Sequence, residues 1–377
     1  MSTGLGKKMR SIFHEASTSL RNTWKTSSTR KLKEDGMGRG KYMIFKGSTE
    51  NFIELTLEKS ISLFHGRANP VRYFSVHELN TMNLELHSMS YQELGDKWYK
   101  GFWDGRSVLV KYSSSTSSDV WQEIMVAAQM STHKNVHKLL GCCMETSHPL
   151  CVFEWVEDVT IGDLVIRDKN QDNSPLDWRE RVRIAWEISH VMAYLHTAFH
   201  RPIIHRILTT NNVYLGKDNT PKLSDFSCAI SVPEGEEYVE DTVIGTFGYV
   251  DPEYYMNNRV AESVDVYIFG VFFLVILTGK KALLPAREDV NETRLLVEWV
   301  KNGLGDKCIT KIIDPAITGN KLTINEELKK QLRASIELAL RCTATEKDTR
   351  PTMVDVATQL KTILRSSESI PESNSGR

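Results

Sequence analysis

His205-Arg206-Ile207-Leu208-Thr209-Thr210-Asn211-Asn212, with Asp225-Phe226-Ser227 beginning 13 positions after Asn212, decides the fold. On the C-terminal side stand Gly245-Thr246-Phe247-Gly248-Tyr249, Asp251-Pro252-Glu253, Asp265 inside an apolar run, and Arg350-Pro351. On the N-terminal side Val108-Leu109-Val110-Lys111 alternates as a strand, so Lys111 faces away from Val108 and Val110. Glu123 comes 12 positions after Lys111, on a helical stretch from about Val120 to Met130. Singly, a lysine on a strand or a glutamate on a helix means nothing. The order and spacing of the whole series carry the information.

Around these landmarks the pattern changes once. Short alternating stretches, Ser107–Tyr112 and Leu150–Trp155, read as strands separated by the one helix. After Asp177 helices dominate: Val182, Ala185, Ile188, Val191 and Leu195 mark one face, and Val264–Leu277 is apolar nearly all round. Leu328–Leu340 and Met353–Leu364 are amphipathic. The fold class is therefore α+β, with a small β-rich lobe before a larger helical one.

The 377 residues, 41% hydrophobic and 25% charged, suffice for one large core or two modest ones. With 47 basic and 48 acidic side chains the net charge is -1, without the basic surplus that nucleic-acid binding requires. The charge is uneven. Residues 1–50 hold 11 Lys/Arg and 4 Asp/Glu, net +7, leaving net -8 for the remainder. Such a leader cannot bury enough apolar area to order itself, and organelle transit peptides share its composition. With no lipid anchor, the basic arm supports at most marginal peripheral binding to an anionic membrane. Six cysteines without a C-x-x-C pair outline neither a disulfide framework nor a zinc site, so a reducing compartment is expected. Tyr267–Leu277, the longest apolar run, is about half the ~20 residues needed to cross a bilayer and reads as a buried helix. Ile53, Leu57, Ile61 and Phe64 form an amphipathic helix behind an Asn51 cap. These features divide the chain into a basic leader (1–41), an amphipathic helix and lead-in (42–83), a first lobe (84–155), a second lobe (156–365) and a polar tail (366–377).

The series as a whole resembles the protein kinases. Lys111 resembles the lysine that holds the nucleotide phosphates, and Glu123 the glutamate that pairs with it. Leu139-Leu140-Gly141-Cys142-Cys143, GTFGYVDPEYY from Gly245 to Tyr255, Asp265-Val266-Tyr267-Ile268-Phe269-Gly270 and Leu277-Thr278-Gly279-Lys280 resemble plant receptor-like kinases of the wall-associated and cytoplasmic groups. Phe74-Ser75, the helix before it and Pro233-Glu234-Gly235-Glu236 are similar to the ZED-related kinase-like group of receptor-like cytoplasmic kinases. That resemblance implies a bilobal kinase fold and a cytoplasmic pseudokinase acting as an adaptor in plant immunity. Its implied partners are an NLR-type immune receptor, receptor-like cytoplasmic kinases and pathogen effectors.

The departures from the kinase pattern bear on activity. Where an active kinase carries the aspartate that accepts the substrate proton, this chain has Ile207. An aliphatic side chain accepts no proton, and loss of a positioned base costs about 10²–10⁴-fold in rate. Thr209 replaces the lysine expected two positions later, and Ser227 the glycine after Asp225-Phe226. Counting back from Trp98-Tyr99-Lys100-Gly101, the three glycines of the phosphate-covering loop fall on Tyr91, Glu93 and Asp96. Carboxylates there oppose a triphosphate by repulsion and bulk.

Lys111, Glu123, Asn212 and Asp225 survive, the last two resembling metal ligands. Two readings of them stand: Mg·ATP bound weakly as a structural ligand, or an ion pair that bridges the lobes, with Asn212 and Asp225 satisfying loop backbone groups. No cofactor is required on either. Glu253 with Arg350, and Asp265 with the backbone near His205, resemble scaffold pairings, and Phe226 belongs to the same frame. From Asp225 to Glu253 the segment is acidic, with Ser231, Tyr238, Thr242 and Thr246 as modifiable hydroxyls. Arg206 has a phosphate on that segment, or one of the carboxylates Glu234, Glu236, Glu237, Glu240 and Asp241, as its expected partner, while the composition alone reads first as a solvated acidic loop.

Overall fold

In the computed structural model, residues 71–87, 96–113, 117–146, 149–157, 159–166, 176–216, 219–284, 294–306, 309–318 and 324–368 are described. The basic leader, the Asn51–Phe64 helix, Tyr91 and Glu93 lie outside them. Strands β1 (Arg72–Tyr73), β2 (Glu85–His87), β3 (Lys97–Trp103), β4 (Arg106–Tyr112), β5 (Leu139–Cys143) and β6 (Leu150–Glu154) form one sheet in the order β1-β5-β6-β4-β3-β2. The β3–β4 hairpin turns on Asp104-Gly105, both at positive φ (51° and 74°), the pair that a two-residue turn between twisted strands demands.

The sheet is covered on both faces. Val108 and Val110 of β4 face outward with Val152 and Cys143, where Phe74, Leu79 and Met82 cover them. Those three come from the lead-in, whose short helix α1 (Val76–Thr81) begins at a Ser75–Glu78 capping box. Leu109, on the opposite face of β4, joins the main core with helix α2 (Ser117–Gln129). The boundary read at residue 84 is therefore corrected: β1 and α1 are part of the first lobe. Gly141 shows why the lead-in seats there, because a Cβ at that position would overlap the Arg72 carbonyl and the Phe74 ring.

The second lobe is built on α3 (Ile161–Val165), α4 (Trp178–Thr197), α5 (Pro252–Asn257), α6 (Glu262–Thr278), α7 (Leu296–Asp306), α8 (Pro315–Thr318), α9 (Glu326–Cys342) and α10 (Met353–Glu368). Asp177 caps α4 through a box with Glu180. Every residue of α6 from Val264 to Thr278 is buried, so this helix is the centre of the lobe, packed by α4 and α9. Each fully buried aromatic such as Phe269, Phe272 or Phe273 contributes about 1.5–3 kcal/mol of burial. The last helix runs to Glu368, so the first residues assigned to the polar tail are helical. Between α4 and α5 lie short strands: β7 (Ile203–Ile204) with β10 (Ile230–Ser231), the hairpin β8 (Val213–Leu215)–β9 (Pro221–Leu223), and β11 (Val239–Glu240), which pairs with β12 (Arg259–Val260) after α5.

Candidate functional site

Because β4 alternates, Lys111 points into the cleft between the lobes, where α2 presents Glu123. The Lys111 Nζ lies 3.0 Å from the Glu123 carboxylate and 3.3 Å from Asp96, all three side chains being almost completely buried. Asp225, from the second lobe, approaches to 4.0 Å. One ammonium thus faces three carboxylates. The Lys111–Glu123 pair joins β4 to α2 within the first lobe, and it is the longer Lys111–Asp225 contact that spans the two lobes.

Burial pulls the Lys111 ammonium down, but Glu123, Asp225 and Asp96 together outweigh it and hold its pKa well above the usual lysine range. Burial pushes Glu123 up to about 7; Lys111 opposes this and Asp225 adds to it. The folded chain therefore keeps a proton that the unfolded chain releases above about pH 4.5. This group's stabilisation is complete below that pH and is lost as pH rises through about 7. His137, buried and lowered to about 4, acts in the opposite sense, losing its contribution as pH falls from 6.5 through 4. Relative to Glu123→Gln, the parent chain is expected to lose melting temperature from about pH 5 to about pH 8. A gap between the two that does not vary with pH would refute the assignment.

Aromatic rings fill the rest of the cleft. Trp98 of β3 stacks near His137 (centroids 6.4 Å apart), His137 stacks on Phe153 at 4.9 Å, and Tyr214 closes the far side 6.0 Å from His137. The His137 Nε2 lies 2.9 Å from the Glu154 carbonyl, where the chain leaves β6 for the second lobe. The cavity left among Asp96, Trp98, Lys111, Phe153, Asn212 and Asp225 is about 20 Å³. That is room for roughly one water, whereas drug-sized ligands occupy pockets of about 300–1,000 Å³.

The loop after β7 is held from below by Asp265 of α6. Its carboxylate accepts from the backbone N–H groups of His205 and Arg206, both at 2.8 Å, and lies 3.0 Å from His196 Nε2. The expected link between Asp265 and the His205 backbone is present. His205 also meets Phe226 edge to face at 5.2 Å. Ile207 is buried at 7% exposure, and its carbonyl accepts from the Asn212 amide at 2.6 Å. The other end of that amide accepts from the Thr209 N–H at 2.9 Å. Asn212 is thus used inside its own loop. Asp225, at φ 65°, accepts from Ser227 through N–H (3.2 Å) and Oγ (2.7 Å). Among the described residues no group of three or more His, Cys, Asp or Glu side chains is arranged to hold a metal ion.

Arg206, at φ 71° and 4% exposed, meets Asp241 at 2.6 Å and the Cys228 carbonyl at 2.5 Å. Asp241 is one of the acidic residues of the segment, so this part is no freely solvated loop. Tyr254 fastens the next stretch, donating to the Thr242 carbonyl and accepting from the Ile244 N–H. Ser231, Thr242 and Thr246 are exposed, while Tyr238 is half-buried beneath the Arg259 guanidinium. The Glu253–Arg350 expectation is corrected. Arg350 binds Asp251 through both guanidinium nitrogens, at 2.6 and 2.9 Å. Asp251 caps α5 and sits 1% exposed over Arg350, whereas Glu253 starts the helix at its half-buried rim.

Sequence reading missed the aromatic filling of the cleft. Trp98, His137, Phe153 and Tyr214 come from four separated segments, and only their burial next to Lys111 signals a role. Trp98 adjoins the quoted Tyr99-Lys100-Gly101 and offered the one local clue, a large ring two positions from a supposed phosphate loop.

A family profile described as protein tyrosine and serine/threonine kinase matches residues 97–360. Three Arabidopsis thaliana proteins are similar over most of their length. The non-functional pseudokinase ZRK2 is 35% identical over 94% of this chain and 98% of its own. The serine/threonine-protein kinase ZRK1 is 36% identical over 89% and 95%. The non-functional pseudokinase ZED1 is 36% identical over 82% and 94%.

Proposed function

This chain belongs to the protein tyrosine and serine/threonine kinase family, in the group of ZED1-related kinases, and from that premise we propose that it transfers no phosphate and works as an adaptor. The observation that carries the reading is the catalytic loop. An aliphatic Ile207 is buried where the base would stand, and Asn212 is engaged by the Ile207 carbonyl and Thr209 amide. The names of ZRK2 and ZED1 agree with inactivity. By resemblance to the group, one face binds an NLR-type immune receptor and another a receptor-like cytoplasmic kinase or pathogen effector, in the plant cytoplasm at the inner plasma-membrane face. No helix among the described residues is long and apolar enough to cross a membrane. This reading requires no Mg·ATP, and the small aromatic-lined cavity beside Lys111 supports it.

ZRK1, named a serine/threonine-protein kinase, supports a second reading as a weak kinase, as does the intact Lys111–Glu123 pair. A third, a nucleotide-gated switch without transfer, predicts Mg·ATP-dependent stabilisation that Lys111→Met abolishes. Phosphate incorporation by the full chain with Mg²⁺ and then Mn²⁺, beside Asp225→Asn, separates transfer from inactivity. No difference between the two proteins is expected. Label that appears in the parent and vanishes in Asp225→Asn would establish the weak kinase.

A further inference from the structure

We infer that Cys142 and Cys151 form a thiol–disulfide site, bridged by an oxidant of the peroxide class and reopened by thiols. They are register partners on the antiparallel strands β5 and β6, and both are free thiols. Both belong to the main core, whereas Cys143 faces the opposite side of the sheet with Val108 and Val110. The pair therefore shares one face, and alternation along β5 keeps Cys143 out of it. Opposed residues of an antiparallel pair have Cα atoms about 4.5–5.5 Å apart, inside the range of about 4.4–6.8 Å that a disulfide spans. Their Cβ atoms have to approach by about 1 Å for the sulfurs to bond. Strand β5 has that freedom, because its register to β6 shifts between Leu139 and Gly141, next to Cys142.

Both thiols are 1% exposed, so the reaction requires a local opening, and β1 is where it arises. Among the described strands, β1 alone lies between β5 and the edge of the sheet, and it is two residues long. Its Tyr73 pairs with Cys142 and is already 42% exposed. Short elements at an exposed edge open at the lowest cost in a structure. Cys151 lies deeper, with Lys111 as its register partner on β4. Burial pushes the Cys142 thiol up to about 12 and holds Cys151 well above the usual thiol range. Cys142, nearer the edge, therefore reacts first. Its thiolate attacks one peroxide oxygen: the O–O bond breaks, the sulfur is oxidised to the sulfenic acid, and the departing hydroxide takes up the thiol proton. The Cys151 sulfur then displaces the sulfenic oxygen, so that the S–S bond forms, the S–O bond breaks and water leaves with the Cys151 proton. Two thiols and one hydrogen peroxide give one disulfide and two waters.

The site is separate from the adaptor reading and does not depend on whether the chain transfers phosphate. The reduced full chain is treated with hydrogen peroxide at about pH 7 and about pH 8, alkylated, cleaved after glutamates and mapped by mass spectrometry without reductant. Glu145 separates the two cysteines, so a bridge joins two peptides, and fragmentation tells Cys142 from Cys143. The expected product is a Cys142–Cys151 bridge at least about tenfold more abundant than any bridge to Cys143, and removed by dithiothreitol. It should form about tenfold faster at the higher pH, because the thiolate is the reactive form. In urea the preference for Cys142 should vanish, since an unfolded chain has no faces. In Cys151→Ser, Cys142 should stop at the sulfenic acid and take up dimedone; Cys151→Val serves where the serine variant does not fold. Equal bridging of Cys142 and Cys143 in the folded chain overturns the proposal, as does a preference that survives in urea. So does a bridge from either cysteine to Cys228, or complete alkylation of Cys142 and Cys151 after peroxide. Should neither variant fold, the parent map decides.

Discussion

Replacing Asp251 by alanine is expected to lower stability by about 3–5 kcal/mol, while Glu253→Ala costs no more than about 1 kcal/mol. The first figure is that of removing one partner from a buried ion pair, which strands the other charge in the interior. Both side chains of the Arg350–Asp251 pair are 1–2% exposed. Arg350 spends its remaining donors on the carbonyls of Ala344 and Ser263, at 2.9 Å each, and stacks over Tyr267. Glu253, half-buried in the first turn of α5, has the modest favourable interaction of an acidic residue at a helix start. Urea midpoints of the two variants test the ranking. A costly Glu253→Ala beside a benign Asp251→Ala would return the pairing to the one expected from the kinase pattern.

Asp265→Asn is expected to be nearly as damaging, although it changes neither shape nor volume. Asp265 is fully buried, and its two oxygens receive the His205 N–H, the Arg206 N–H and His196 Nε2. An amide must turn an NH₂ toward one of those donors, so at least one buried N–H loses its acceptor and two donors are forced together. An orphaned buried group costs about 1–3 kcal/mol, and more where the lost acceptor was charged. The consequence reaches the candidate site. Arg206 sits at φ 71°, a conformation that costs about 1–3 kcal/mol and persists only while its surroundings impose it. Release of its N–H should loosen the grip on Asp241. The expected result is a lower urea midpoint for Asp265→Asn, with faster hydrogen exchange at residues 239–244. Unchanged exchange there would disconnect α6 from the activation segment.

Much of this molecule is legible without coordinates where the signal is local. The alternation of Val108-Leu109-Val110-Lys111 correctly sends Lys111 to the opposite face from its neighbours, because side chains on a strand alternate whatever the fold. The all-apolar run ending at Leu277 is the buried α6, since a helix without a polar face has to be enclosed. The acidic residues of the segment after Asp225 are visible, and Asp241 among them is a candidate partner for Arg206. The lead-in was harder. Two residues of β1 carry no strand signal, and their pairing with β5 depends on Gly141, some 70 positions away, having no side chain to obstruct it.

The sequence alone determines that this is a kinase fold lacking a catalytic aspartate, because identity at Ile207 and Thr209 is chemistry that no packing alters. It also determines that Lys111, Glu123, Asn212 and Asp225 are retained. Only the tertiary structure decides what they are bonded to. Asp251 rather than Glu253 meets Arg350, Asn212 serves its own loop, and Asp96 lies against Lys111 instead of facing an open cleft. The reason is physical. Which buried carboxylate meets which cation depends on distances of a few ångströms between segments far apart in sequence, and in a low-dielectric interior those distances set the energy. The filling of the cleft is of the same kind, since Trp98, His137 and Phe153 are brought together only by the folded first lobe and Tyr214 reaches them from the second.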